Sequence, residues 1–456
     1  MQTNYQEFTE YLKVLPISLY LYITLYISIQ IFTITYIYNY SKTRKQLGNT
    51  FKLKPLIKYS LVGFALTLIA YAIIGKITKL EYRFKSLENY EKTHVFTFFK
   101  FADIYLIYKD YQKLTITVEN LNAPPTFKIA KVQNKYHDYV IILGESARPD
   151  IFSVYGFAIK TSPYLEQVKG TIYNGYVSVA ASTAASINYS FIYHQDENYK
   201  ANAQDTVINI AKHAGFSTAW LSVQSKLTRH DSAATLNSQQ ADYSWFPEYY
   251  NNQDKYDKSL LPLLEKYLNS TAQDTKPRLI VLHTNGSHPD AYSRLYEEVE
   301  FDYVNKNLSC YLQTIKQTDN FISQVVDTVS KHSNSYSVMY FSDHGIEMKN
   351  ADNPKKATTT HSYLIKEGFE IPLVVINSDD TEHREVTFKQ SNINFIAGFS
   401  QWLGITYSNI AFDDFWQGTN DPLKVIASPK WGYYDQLRNN HYPQPNTSSI
   451  SQNPQK

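Results

Sequence analysis

The chain has 456 residues and a formal net charge of +2, long enough for two or three domains and without the global basic field that nucleic acid binding needs. Its single cysteine, Cys310, excludes a disulfide framework and any zinc site built from several thiolates.

From Val14 to Tyr40 no charged residue occurs, in a run containing "LPISLYLYITLYISIQIFTITYIY". Roughly 20 apolar residues in a helix cross the hydrocarbon core of a bilayer. The run is too long for the apolar region of a secretory signal, and no small-residue cleavage site follows it. A second uncharged run extends from Tyr59 to Gly75. The loop between them holds Lys42, Arg44, Lys45, Lys52, Lys54 and Lys58 and no acid, so the positive-inside rule places it in the cytoplasm and both chain ends on the far side. Residues 1–80 are therefore expected to form a membrane domain with spanning helices at about 14–40 and 59–75. Two buried helices of a soluble protein are the competing reading.

The next segment, "YEKTHVFTFFKFADIYLIYKDYQKL", has aromatics interrupted by Lys and Asp and does not span. It suits a helix in the interfacial plane or, equally, an amphipathic helix packed on a soluble domain. "LNAPPTFKIAK" reads as a linker because consecutive prolines forbid helix, so 81–135 is expected to be interfacial helix and linker.

From residue 136 short apolar runs alternate with helical periodicity. "DYVIIL", "FSTAWL", "RLIVLH", "YSVMYF" and "IPLVVI" read as buried strands. "DTVINIAKHAG", "DKSLLPLLEKYL" and "LQTIKQTDNFISQVVDTVSKH" read as helices between them, the first closing on Gly215. The expected fold over 136–430 is α/β, a doubly wound and mostly parallel sheet. The polar, Pro-rich residues 431–456 are expected to form a disordered tail.

In such sheets ligands bind beyond the carboxyl ends of the strands. There the sequence places Glu145, after "DYVIIL"; His288, after "RLIVLH"; and Asp343 and His344, after "YSVMYF". His361 stands just ahead of "IPLVVI". An isolated Asp-His pair more often caps a turn, but two carboxylates converging with imidazoles suit zinc or, as second choice, manganese. Ser182, Thr183 and Ser186 in "GYVSVAASTAASINYSFI" supply hydroxyls, which serve either as helix caps or as a nucleophile whose proton a divalent metal would loosen.

"GESARPDIFSVYGF", "TSPYLE", "STAAS", "HTNGSHPDAYSRLY", "YLQTIKQTD" and "SDHG…H" occur in the order and rough spacing of the phosphoethanolamine transferases. The chain resembles this membrane-anchored branch of the alkaline phosphatase and sulfatase superfamily from about Tyr136 to Trp416. The resemblance implies that Thr183 is the nucleophile, held on zinc by Glu145, Asp343 and His344. Thr183 would take phosphoethanolamine from phosphatidylethanolamine and pass it to a lipopolysaccharide acceptor, a core sugar or lipid A. It also implies that His288 and His361 line the phosphoethanolamine pocket, where one protonates a leaving oxygen, and that the enzyme sits in a bacterial inner membrane with its catalytic domain in the periplasm.

Three departures stand against the family pattern. Ile346 follows "SDHG" where the family usually has Glu; no disulfide can form; and two apolar runs occur where many relatives have five spanning helices. Lys226 is the candidate for a pocket lysine found in some relatives. A phosphoglycerol transferase or phosphodiesterase would use the same metal chemistry. A sulfatase would need a Cys or Ser followed closely by Pro and Arg, which "STAAS" lacks. A non-catalytic binding module would be expected to lack a ligand or the nucleophile, and none is missing.

Overall fold

The computed structural model describes residues 123–194, 202–224, 233–247, 256–427 and 430–443, together with Thr35. Apart from Thr35, the two apolar runs, the basic loop, the interfacial segment and Lys226 lie outside the described residues. Among those described, no helix is long and apolar enough to cross a membrane. The chain divides into two units, Tyr5–Lys109 and a larger one of Met1–Asn4 with Asp110–Lys456, and the elements below belong to the larger.

The first strands are β1 (Ile129–Val132), β2 (Asp138–Gly144) and β3 (Gly170–Val177), followed by helices α1 (Thr183–Phe191) and α2 (Val207–His213). Next come β4 (Ser217–Ser222), α3 (Ala233–Gln240), β5 (Tyr243–Trp245), α4 (Leu260–Ser270), β6 (Arg278–His283), α5 (Lys306–His332) and β7 (Tyr336–Ser342). The chain continues through β8 (Glu347–Lys349), β9 (Thr358–Thr360), β10 (Leu373–Asn377), β11 (His383–Ser391) and α6 (Phe395–Trp402). It closes with β12 (Ile405–Tyr407), β13 (Lys424–Ala427) and β14 (Lys430–Tyr433).

Eight strands form the central sheet in the order β11-β3-β10-β7-β2-β6-β4-β5. The pairings β11·β3, β7·β2, β2·β6, β6·β4 and β4·β5 are parallel. Strand β10 runs antiparallel to both β3 and β7, which makes the sheet mixed. The reason "DYVIILG" folds as a central strand is that all its residues are buried, so it needs apolar cover on both faces. Val140 and Ile142 pack toward Leu260, Leu264 and Leu268 of α4 and Leu308, Ile315 and Ile322 of α5. Tyr139, Ile141 and Leu143 pack on the other side with residues of α1, α2, α3 and α6. Each fully buried side chain of this size contributes roughly 1.5–3 kcal/mol. The buried Arg278 guanidinium and Asp138 carboxylate pair at the starts of β6 and β2, where those residues are register partners.

Helix ends follow local chemistry. The Thr206 hydroxyl accepts the Asn209 N–H at the start of α2, and Gly215 (φ 94°) turns the chain out of it. Asn305 caps α5 through the Leu308 N–H, and that helix begins six residues before the expected "LQTIKQTD".

Three expectations are corrected. Strands β3, β5 and β11, which carry polar or small residues, were not among the expected strands. The expected linker contains β1, which pairs with β12. The first part of the expected tail is folded: Lys430–Tyr433 pairs with β13, and residues to 443 dock onto the domain.

Candidate metal centre

Parallel neighbours bring the acids together. Gly144 and Ser342 are register partners on β2 and β7, so the next residues, Glu145 and Asp343, leave the sheet side by side. Gly144 has no room for a side chain, since a Cβ there would lie 2.8 Å from the Tyr340 ring. Ser146, at φ 54°, turns the chain away from β2. Its hydroxyl donates to Glu145 Oε1 (2.6 Å) and its backbone N–H to Asp343 Oδ1 (3.2 Å), so one residue orients both carboxylates.

His344 is fully buried, and its Nδ1 lies 2.7 Å from the Gly345 carbonyl. With Nδ1–H donating to that oxygen, Nε2 faces the site. Nε2 lies 3.2 Å from Glu145 Oε1, 3.4 Å from Thr183 Oγ1 and 3.7 Å from Asp343 Oδ2. The Thr183 hydroxyl, in the first residue of α1, donates to Glu145 Oε2 at 2.9 Å. Glu145, Asp343 and His344 offer ligand atoms within 4.8 Å of one another, all buried.

The electrostatics fit a cation. Burial and the neighbouring Glu145 charge push the Asp343 carboxyl up to about 7. Burial opposes charge on Glu145 as well, but the His344 hydrogen bond and charge outweigh it and hold Glu145 well below the usual carboxylate range. His344 is raised to about 9, because the charges of Asp343 and Glu145 overcome the burial that disfavours its protonated form. Asp343 Oδ2 is buried and makes no hydrogen bond among the described residues. Such an oxygen is costly unless something positive meets it. Two carboxylates, an imidazole nitrogen and a hydroxyl form a donor set that suits a divalent ion of the zinc type.

The two further histidines stand beside this group. The His361 ring centroid is 4.9 Å from that of His344 and 5.4 Å from that of His288. Burial, with His344 and His288 nearby, lowers His361 to about 3, so its ring is neutral. His288 Nδ1 lies 3.2 Å from an Arg294 nitrogen and from the Pro289 carbonyl. The structure thus brings together six of the residues singled out: Glu145, Thr183, His288, Asp343, His344 and His361. Ser186 is not in the group; its hydroxyl donates to the Asp343 carbonyl and supports the turn. Ile346 is fully buried in the core, and Glu347 begins β8.

Sequence reasoning missed several supporting residues. Gln224, two positions beyond β4, donates to Glu145 Oε2 (3.3 Å) and to the Thr284 carbonyl (2.8 Å). Its place beyond a strand's carboxyl end was the available signal. Gly286, at φ 45°, lies so close to Glu145 that a Cβ would sit 2.7 Å from its carbonyl oxygen. Buried Asp257 holds that loop by accepting the Asn285 and Gly286 N–H groups. Nothing local in "YDKSLL" marks Asp257 for this task.

A family model described as Sulfatase matches residues 137–405. The phosphoethanolamine transferase OpgE of Escherichia coli (strain K12) is 32% identical over 288 residues, covering 62% of this chain and 54% of that protein. The putative transferase YhbX of the same strain is 30% identical over 326 residues, covering 68% and 56%. The chain spans about half the length of the curated relatives it matches. Among solved structures, the C-terminal periplasmic domain of EcEptC from Escherichia coli, in complex with Zn, aligns with a TM-score of 0.58. It is 20% identical, and the alignment covers 69% of this chain and 97% of that one. The integral membrane lipooligosaccharide phosphoethanolamine transferase A (EptA) of Neisseria meningitidis aligns with a TM-score of 0.56 at 20% identity, covering 79% of this chain and 72% of that one. At such identity these two share the fold. With more than half its length matched by the family model, the chain belongs to the sulfatase family.

Proposed function

We propose that this protein is a zinc-dependent phosphoethanolamine transferase that takes its group from phosphatidylethanolamine and passes it to a lipopolysaccharide sugar or lipid A phosphate. The observation that carries this reading is the Thr183 hydroxyl, set at 2.9 Å from Glu145 and 3.4 Å from His344 at the edge of the buried donor group. Similarity to phosphoethanolamine transferases supports the transferred group. The two apolar runs with a basic loop between them support a lipid donor, an inner-membrane anchor and a periplasmic catalytic domain.

Glu145, Asp343, His344 and Thr183 would hold the zinc, which when bound lowers the pKa of a hydroxyl and neutralises phosphoryl oxygens. Thr183 Oγ1 forms a bond to phosphorus as the bond from phosphorus to the diacylglycerol oxygen breaks, and the Thr183 proton leaves for solvent or a neighbouring base. His288 supplies a proton to the departing oxygen, while His361, neutral, stands beside it as an available base. In the second displacement an acceptor oxygen attacks the phosphorus, passing any proton it carries to the histidine that gave one up. The bond from phosphorus to Thr183 Oγ1 breaks, and Oγ1 takes a proton back from solvent or the neighbouring base, regenerating the enzyme.

The test is to incubate the protein with phosphatidylethanolamine and no acceptor, then map any adduct by peptide mass spectrometry. Phosphoethanolamine is expected on Thr183 and absent from Thr183→Ala, which is expected to keep its fold and much of its metal. An adduct on Ser182 or Ser186, or an active Thr183→Ala protein, overturns the assignment. Diacylglycerol release with no adduct, even under rapid quench, favours a phosphodiesterase instead.

A further inference from the structure

The segment after β14 reaches back over the carboxyl edge of the sheet, and one residue in it, Asn440, is bonded through its backbone and side chain alike. Its backbone N–H donates to Glu367 Oε2 (2.6 Å), and its carbonyl accepts from the Arg148 guanidinium (2.8 Å). Its side-chain oxygen accepts from Arg148 (3.0 Å) and from the Met348 N–H (2.8 Å). Its side-chain nitrogen donates to the Met348 carbonyl (3.2 Å).

Two of those three partners, Arg148 and Met348, follow metal-ligand candidates in the chain, and the third, Glu367, belongs to a segment that grips the turn after His344. Arg148 is three residues after Glu145, is fully buried, and forms a two-pronged pair with Asp150 (2.6 and 2.7 Å) while donating to the Ile346 carbonyl (3.3 Å). Met348 is four residues after His344. Glu367 and Gly368 accept, through their carbonyls, the N–H groups of Ile346 and Gly345 (both 3.0 Å), so they grip the turn that follows His344. The segment is anchored on either side of Asn440: the Lys366 N–H donates to the Arg438 carbonyl (2.8 Å), and the Tyr303 hydroxyl donates to the Pro443 carbonyl. Tyr442 packs edge-on against Phe157 at 5.2 Å.

We infer that Asn440 is a positioning residue for the metal centre, tying the Glu145, His344 and Glu367 segments together from a part of the chain remote in sequence. This rests on the metal-site reading above. A side-chain amide suits the place because it presents, from separate atoms, an acceptor to Arg148 and the Met348 N–H and a donor to the Met348 carbonyl. Removing it leaves Arg148 and the backbone of Met348 without these partners in a buried setting. Asn440 acts one step further out than a direct partner of a ligand, so its effect on metal affinity is expected below the roughly 10–100-fold typical of such partners.

The experiment compares the full-length protein with Asn440→Ala and Asn440→Asp. Zinc affinity is measured by chelator competition, the cobalt(II) visible spectrum is recorded at saturation, and melting of the metal-free protein serves as the fold control. Asn440→Ala is expected to bind zinc more weakly, by up to about tenfold, with an altered cobalt spectrum. Asn440→Asp is expected to recover part of the affinity, since its carboxylate keeps the bonds from Arg148 and the Met348 N–H. Unchanged affinity and spectrum in Asn440→Ala overturn the inference, as does equal loss in both variants or lower metal-free stability with an unaltered spectrum. Wild-type protein that holds no zinc at all defeats the metal-site reading instead, which keeps the two failures apart.

Discussion

On one side of the central sheet β7, β2, β6 and β4 run the same way, and each reaches the site with its carboxyl end. On the other side β10 runs against both β7 and β3 and reaches the same edge with its amino end. The parallel half supplies Glu145, Asp343 and His344 by adjacency, because consecutive residues after paired strands must emerge together. The half around β10 supplies His361 by reversal and Thr183 from the neighbouring β3. Since β3 and β7 are both antiparallel to β10, they run in the same direction, so the chain leaving β3 toward Thr183 starts at the ligand edge. His361 precedes β10 and would lie at the opposite edge if that strand were parallel. The two halves therefore reach one edge by different routes, adjacency of parallel strands on one side and the reversed β10 on the other.

The largest expected effect breaks the parallel half. Asp343→Ala removes a ligand oxygen, and elemental analysis of the full-length protein should find its zinc occupancy sharply reduced, with transfer lost. Full occupancy in this variant would reduce the strand-end pair to a structural turn.

A smaller effect sharpens the contrast. His361→Ala should keep its zinc while turnover falls by about 10²–10⁴-fold, the range for a general acid or base. Steady-state transfer rates beside metal content give the answer, and loss of metal together with rate would make His361 part of the metal-holding group instead.

The smallest concerns a place outside both. Asp319 on α5 accepts the N–H groups of Tyr164 (2.8 Å) and Leu165 (3.0 Å), and burial pushes its carboxyl up to about 6. Its folded value is above its unfolded one, so its stabilising contribution is present below about pH 4 and is lost as pH rises through about 6. Asn does not ionise, so the melting difference between wild type and Asp319→Asn should narrow between those pH values and stay flat above pH 7. Parallel melting curves throughout would show that the carboxyl titrates normally.

The buried strands β2, β4, β6, β7 and β10 were legible because each is a short apolar run, a pattern that burial on both faces demands. Strands β3 and β11 were not: "GTIYNGYV" and "HREVTFKQS" mix polar and small residues, and β11, at the sheet's edge, leaves most of its side chains outside the core. The metal-centre candidates were legible from one rule, that polar residues after buried strands matter. Asn440 was not, because "RNNHYPQPN" has the composition of a tail, and its hydrogen bonds exist only once Arg148, Met348 and Glu367 have been brought together.

The sequence by itself determined which residues were candidates for chemistry and which runs must be buried, since side-chain type and hydrophobic period are local properties. Only the tertiary structure decided the direction of β10, and with it the presence of His361 at the ligand edge. Strand direction depends on pairing between segments distant in the chain, and no local pattern in "IPLVVI" encodes it. The same holds for the docking of Asn440 and the approach of Gly286 to Glu145. Each is a contact between separate segments, stabilised by desolvated hydrogen bonds or close packing that no single stretch of residues contains.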